Sequence, residues 1–384
     1  MKQFFNLEKI IELRHELHRF PELSDNEFVT AERITNFLSH YDNIEIIRGI
    51  GGNGLACIFK GNDEGPSVLF RCDLDALPID EENEIEYKSV QKGVSHMCGH
   101  DGHMAIIAGL ADMFSKNPPK NGQVVLLFQP SEENGQGAFR VVNDEKFKKI
   151  KVDYVFALHN LPGFKEGEII LANETFAAAS KGMIIKLIGK TSHASEPENG
   201  NSPAISMADV IKELNDLTKQ KEVFSDFTLI TIIHARLGEI AFGITPGYAE
   251  VMATLRTYRD EDMQKLTAMA EETVKRNADK SSLKFEISYV EDFPATVNNK
   301  EMVKIIQNAA DFAKIPYNYL ENPFRWSEDF AHFTKKFKGA LFGLGSGKNH
   351  PQLHNPDYDF PDDIIEKGVS IFSEIYNHIV KNSK

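Results

Sequence analysis

The sequence predicts an α/β sheet with helices over its faces and, inserted into it, a separate α+β unit. Three observations carry this expectation. Through residues 1–181 short apolar runs rich in Val, Leu and Phe alternate with helical segments, the rhythm of a sheet covered by helices. Between residues 182 and 292 that rhythm changes, and after Pro294 helix and strand resume. The 384 residues, 41% of them hydrophobic, suffice for two cores. The expected division is therefore 1–181 with 293–384 as one domain and 182–292, an ordinary domain length, as the other.

Taken in order, Leu7, Ile10, Ile11 and Leu17 recur at helical spacing until Pro21 stops them. Ser24 with Glu27 three positions on has the form of a capping box, opening a second helix whose buried stripe is Phe28, Ala31, Ile34 and Phe37 or Leu38. Strands follow at LACIFK, SVLFRC, QVVLLFQP and YVFALH, with the helix HMAIIAGLADMF between the second and third. The inserted unit reads strand GMIIKLIG, helix SPAISMADVIKELNDL, strands TLITIIHA and YAEVMATLRTY, helix DEDMQKLTAMAEETVKRNA and strand LKFEISYV. The remainder supplies a helix, the strand GALFGLG and a final helix, and His354 lies in the loop before that last helix.

Composition narrows the function. Forty-three Lys and Arg against 57 Asp and Glu give a formal net charge of -14, without the basic stripe that a nucleic-acid groove needs. No segment reaches the ~18 uninterrupted apolar residues of a membrane span, and the mean hydropathy is -0.33. Charges interrupt the apolar positions of the first residues, which read as a helix and not as a signal peptide. Cys57 and Cys72 sit in apolar strands and Cys98 in the polar run HMCGHDGH, so no disulfide framework is expected and a cytoplasmic location fits.

The chemistry lies where the polar residues fall. Asp73, the pair Glu132 and Glu133, and His159 all stand at or just past the end of an apolar strand, and sites in α/β sheets form outside the carboxyl ends of strands. Adjacent carboxylates there repel unless a cation or a shared proton compensates. One can then ligate a metal while its neighbour takes a proton from water. Cys98-Gly99-His100 brings a thiolate and an imidazole to one tight loop, followed by Asp101 and His103; alone it is weak, because a zinc site needs three or four ligands. His159 in ALHNLPG and His354 in HPQLHNPDYDF stand in loop-like contexts, whereas His15, His18, His40, His332 and His378 read as surface or satisfied core residues.

The segments LHRFPELS, RCDLDALPI, HMCGHDGHM, FQPSEENGQGA, ALHNLPG, GKTSHASEPENGNSPA, RTYRD, SEDFAHF and HPQLHNPDYDF, in this order over nearly the whole chain, resemble the aminoacylase-like metallo-amidohydrolases. That family includes hippurate hydrolases, N-acetyl-diaminopimelate deacetylases and auxin-conjugate hydrolases, with dipeptidases and carboxypeptidases as more distant members. The resemblance implies a catalytic domain with a mixed sheet covered by helices on both faces, plus an inserted lid that also dimerises. It implies two divalent ions, Zn²⁺ or Mn²⁺, held by Cys98, His100, Glu133, His159 and His354, with Glu132 activating water and Asp73 orienting a ligand by accepting a hydrogen bond. His193 matches a residue that stabilises the oxyanion, and Arg256 a candidate to hold a substrate carboxylate. The peptidase branch has His-x-Asp where this chain has Arg71-Cys72-Asp73, which points toward N-acyl amino acids and away from dipeptides.

Two departures bear on specificity. Gly243 stands where the lid usually has Asn, and Arg325 with Trp326, the chain's single Trp, replaces the Met and Gly usual near the acyl pocket. Arg325 is thus a second candidate for substrate contact. The implied reaction is hydrolysis of an N-acyl amino acid to a carboxylate and a free amino acid, in a cytoplasmic enzyme that forms a homodimer through the lid. Alternatives are a dipeptidase, a thiol hydrolase with Cys98 as nucleophile and His100 as base, and a binding protein that retains the scaffold without turnover.

Overall fold

The computed structural model describes residues 5–220 and 222–382. The chain divides into two compact units, Met1–Phe176 with Thr296–Asn322 and Glu328–Lys384, and Ala177–Ala295 with Pro323–Ser327. The inclusion of Pro323–Ser327 in the second unit was not foreseen from local pattern. Backbone bonds explain it: the Ala178 amide donates to the carbonyls of Phe324 and Trp326, both at 3.0 Å. Arg256 adds bonds to the Arg325 carbonyl at 2.8 Å and to Ser327 Oγ at 3.1 Å.

The first unit opens with helices α1 (Leu7–Arg19) and α2 (Phe28–Leu38). Ser24 and Glu27 do not form the expected capping box. Ser24 Oγ donates to Asp75 at 2.7 Å, and the Glu27 carboxylate accepts from the Ser131 amide at 2.7 Å, so tertiary partners take both side chains from the helix end. Phe28 is exposed at the first helical position, and the stripe that buries is Thr30, Ala31, Ile34 and Leu38.

Strands β1 (Glu45–Ile50), β2 (Gly54–Lys60), β3 (Asp63–Asp73), β4 (Asn121–Gln129), β5 (Tyr154–Pro162) and β6 (Ile169–Leu171) join the later strands Lys338–Gly347 and Tyr317–Tyr319 in one mixed sheet. The order is β1-β2-β4-β3-β5, then Lys338–Gly347, β6 and Tyr317–Tyr319. β3 runs parallel to β4 and to β5, and β5 parallel to Lys338–Gly347, so these four strands end at the same edge. On one face Phe70, Cys72, Leu126 and Phe128 pack under α1, helix α3 (His100–Lys116) and the helix Ile365–Asn382. The alternate residues Leu69, Arg71, Val125 and Leu127 are equally buried on the opposite face, which helix α4 (Gly137–Asn143) and the turn Ala331–Thr334 cover. Helices therefore cover both faces of a mixed sheet, the architecture that the resemblance implied.

In the second unit the strands Thr228–Leu237, Tyr248–Thr257, Ala179–Ile188 and Lys284–Phe293 form, in that order, an antiparallel sheet. Its core of Ile185, Leu187, Val251 and Leu255 packs against Val210 and Leu214 of helix Ala204–Leu217 and Leu266 and Val274 of helix Asp260–Lys280. Among the described residues no helix is long and apolar enough to cross a membrane.

Candidate metal centre

Parallel pairing of β3, β4 and β5 delivers Asp73, Glu132 with Glu133, and His159 to one edge of the sheet, and the start of α3 adds Cys98 and His100. Gly99, at φ +85, makes the turn between those two residues; a Cβ there would come within 2.6 Å of the Asn160 side chain. His354 enters from a later loop, also with positive φ (65°), its amide donating to the Met97 carbonyl at 2.8 Å. The ligand atoms of Cys98, His100 and His159 lie within 4.8 Å of one another, as do those of Cys98, Glu133 and His354 and those of His100, Glu132 and Glu133. Six side chains thus form three overlapping groups: Cys98 joins the first two, and His100 and Glu133 link the third to them.

Hydrogen bonds behind these residues decide which atoms face inward. His100 Nδ1 is 2.8 Å from the Asp75 carbonyl, which holds the proton on that nitrogen and turns Nε2 toward Glu133 Oε1 at 3.7 Å. His159 Nδ1 bonds the Asn160 carbonyl at 2.9 Å, and its Nε2 faces Cys98 Sγ at 3.6 Å. Glu133 Oε1 is also 3.9 Å from His354 Nε2. Both His100 Nε2 and Glu133 Oε1 are buried without a hydrogen-bond partner, a costly state for two polar atoms that a cation relieves.

Electrostatics point the same way. Burial, with the charges of Glu133, Glu132 and Asp73, pushes the Cys98 thiol well above its ordinary range. Burial likewise raises Glu133 to about 7 against the opposing charge of His100. Glu132 is pushed well above the usual carboxylate range by burial and by the neighbouring Glu328, Glu133 and Asp329. A thiol and carboxyls crowded until they hold their protons are the environment that a divalent ion reverses, since it stabilises their anions directly. The residues present therefore fit a metal site.

Several participants escaped the reading of the sequence. Arg71, fully buried, reaches Asp73 at 2.6 Å, Asp329 at 2.9 Å, Glu328 at 3.0 Å and the Gln129 carboxamide oxygen at 2.8 Å. Its signal was a charge inside an apolar strand. Asp73 accepts from His103 Nδ1 at 2.7 Å, and the other nitrogen of that ring lies 2.5 Å from Asn160 Oδ1. Asp73 thus orients His103, which braces Asn160 beside His159. Asp75 accepts from the Glu133 amide at 2.9 Å. His193, Arg256 and Arg325 belong to the second unit: His193 is exposed with its ring 2.7 Å from Ser195 Oγ, and Arg325 lies over the Phe227 ring at 4.9 Å.

A mixed, helix-covered sheet with thiol, imidazole and carboxylate groups able to hold a metal at its carboxyl edge, and a buried carboxyl beside them, defines a metal-dependent hydrolase. Residues 69–378 match the Peptidase family M20/M25/M40, and the chain belongs to that family. It is 30% identical to the hippurate hydrolase of Campylobacter jejuni, with 94% of each chain covered. It is equally 30% identical to the N-acetyl-L-cysteine deacetylase of Bacillus subtilis, covering 94% of this chain and 86% of that one. A solved Bacillus subtilis structure, described as a dinuclear metal-binding peptidase of the M20 family, superposes with a TM-score of 0.84 at 25% identity over 99% of both chains.

Proposed function

We propose that this protein hydrolyses the amide bond of N-acyl amino acids, N-acetyl and N-benzoyl derivatives among them, using two divalent ions, Zn²⁺ or Mn²⁺. Cys98, His100, Glu133, His159 and His354 would hold the ions. The observation that carries the reading is the division within the Glu pair. Glu133 Oε1 is orphaned between His100 and His354, while Glu132, close beside them, accepts from the Asp329 amide at 3.4 Å and is buried among acids that raise its proton affinity. When bound, the ions supply Lewis acidity and make water acidic enough to lose a proton near neutral pH. Glu132 accepts that proton and returns it to the leaving amine, base first and acid second. The Asp75 and Asn160 carbonyls hold His100 and His159 in the tautomer that leaves Nε2 free to ligate.

The substrate class is supported by the names of the two amidohydrolase relatives. Arg71 supports it too: its guanidinium has no acceptor and is committed to three carboxylates, so it cannot ligate where the peptidase branch places a histidine. Arg256, half-buried, is the better candidate for the substrate carboxylate, because Arg325 is stacked on Phe227. His193 takes the oxyanion role that the resemblance implies. A homodimer through the second unit is supported by its edge strand Thr228–Leu237, where Ile233 is exposed, and by the still more exposed Ile240 and Phe242 of the segment that follows it; a single-chain mass at micromolar concentration would exclude it. A cytoplasmic location agrees with three unpaired cysteines.

The test is Glu132→Gln assayed for amine release from N-acetyl, N-succinyl and N-benzoyl amino acids. Metal content should stay at the native level while turnover falls roughly 10²–10⁴-fold. A fully active variant, or a metal-loaded native enzyme inert across the panel, overturns the proposal.

A further inference from the structure

Arg14 lies in the middle of α1 with its side chain wholly out of solvent, a state a guanidinium adopts only when paired. Its Nη1 reaches Asp101 at 3.0 Å and Asp359 at 2.9 Å, and its Nε lies 2.6 Å from Asp362. The Tyr87 ring covers it at 4.7 Å, and the Tyr87 hydroxyl donates to the second oxygen of Asp359 at 2.7 Å. One turn further along α1, His18 adds a bond to Asp101 at 2.9 Å and one to Glu81 at 3.1 Å.

The two ends of this bridge carry metal-ligand candidates. Asp101 follows His100 in the first turn of α3, two positions from Gly99 and three from Cys98. Asp359 and Asp362 terminate the loop that presents His354. Within that loop the His354 side chain is 53% exposed, in contrast to the buried Cys98, His100 and His159. It is therefore the ligand candidate least held by its own surroundings. The loop is tied by the Asn83 carboxamide to the Tyr358 carbonyl at 3.0 Å and by His350 to the Asp359 carbonyl at 2.5 Å. Arg14 pairs closely with both the α3 side and the loop side, whereas His18, bonded to Asp101 at 2.9 Å, reaches the loop only at 4.0 Å from Asp359. Its planar fork suits several carboxylates at fixed angles, which a lysine ammonium cannot match.

We propose that Arg14 is a positioning residue for the ion that His354 helps to hold: it clamps the His354 loop to the segment bearing Cys98 and His100, and so sets the spacing of the ligand group Cys98, Glu133 and His354. The inference rests on the metal reading above. Side chains that orient ligands from behind typically contribute 10–100-fold in metal affinity.

The experiment is equilibrium dialysis against Zn²⁺ and Mn²⁺, with bound ions counted per chain, on the native protein and on Arg14→Lys, Tyr87→Phe and His354→Ala. His354→Ala should lose one ion. Arg14→Lys should bind one ion at native affinity and the other 10–100-fold more weakly, and added metal should restore its kcat but not that of His354→Ala. Tyr87→Phe should move in the same direction by less, and decides the matter on the same readout if Arg14→Lys does not fold. Native affinity for both ions in folded Arg14→Lys and Tyr87→Phe, with an ion lost in His354→Ala, overturns the clamp and leaves the metal reading standing. Two ions retained in His354→Ala overturns the metal reading itself.

Discussion

Replacing Arg71 by Met keeps much of the side-chain volume and removes a guanidinium paired with Asp73, Glu328 and Asp329 together. All four side chains are out of solvent, so water cannot screen the carboxylates left behind. Breaking a buried pair in this way costs roughly 3–5 kcal/mol, which is about two to four decades in the folding equilibrium at 1.36 kcal/mol per decade. The loss has a pH signature. In the native protein burial raises Asp73, but His100, His103 and Arg71 outweigh it and hold the carboxyl well below its ordinary range, so its contribution is fully present above the unfolded carboxylate pKa and is lost progressively as pH falls from there through the lowered folded value. In the variant the remaining carboxyls gain proton affinity, and protonation removes the uncompensated charge. The stability gap between native and variant should therefore be widest near neutrality and narrow as pH falls toward about 5. Urea unfolding across that range, metal-loaded and chelated, measures it. Asp329→Asn placed in the Arg71→Met background should recover part of the loss. Equal midpoints for native and Arg71→Met at neutral pH would refute the argument that this guanidinium compensates the acids.

Gly102→Ala would place a Cβ 2.2 Å from the Phe360 ring, and overpacking of this kind costs about 1–3 kcal/mol; an unchanged melting temperature would show that α3 and the Phe360 loop part freely. Burial opposes charge on His18, but the bonds and charges of Asp101 and Glu81 prevail and raise it from 6.5 to about 9. Its stabilisation is thus fully present below pH 6.5 and lost as pH rises through about 9, at most about 3 kcal/mol; urea midpoints of the native protein should fall over that interval and those of His18→Gln should not. Chelation should lower the thermal midpoint and stop amine release, with Zn²⁺ or Mn²⁺ restoring both; a midpoint indifferent to chelator would mean that no metal stabilises the native state.

Much of this was legible in the chain. Strands announced themselves because a sheet covered on both faces demands continuous apolar runs, as in Leu126, Leu127 and Phe128, and polar residues just past their ends then stand out as Glu132 and Glu133 do, whereas His159, expected in a loop, is paired within β5, which runs on to Pro162. The failures were equally physical. Ser24 and Glu27 have the spacing of a capping box, yet Asp75 and Ser131, distant in sequence, offered them better partners. Phe28 fits an apolar stripe by count and still faces water. Arg71 looked only like a departure from a histidine pattern, since nothing local shows that Glu328 and Asp329 come to meet it.

The sequence by itself determined the fold class, the placement of Glu132 and Glu133 just past a strand and, through its ordered motifs, the candidate ligand set, because hydrophobic periodicity and residue chemistry are local properties. Only the tertiary structure decided that Cys98, His100, Glu133, His159 and His354 form overlapping groups. It alone turned Glu132 toward Asp329, and set Arg14 between the His354 loop and α3. These depend on strand order, parallel register and the path of a distant loop, which bring together residues separated by hundreds of positions and which no local pattern encodes.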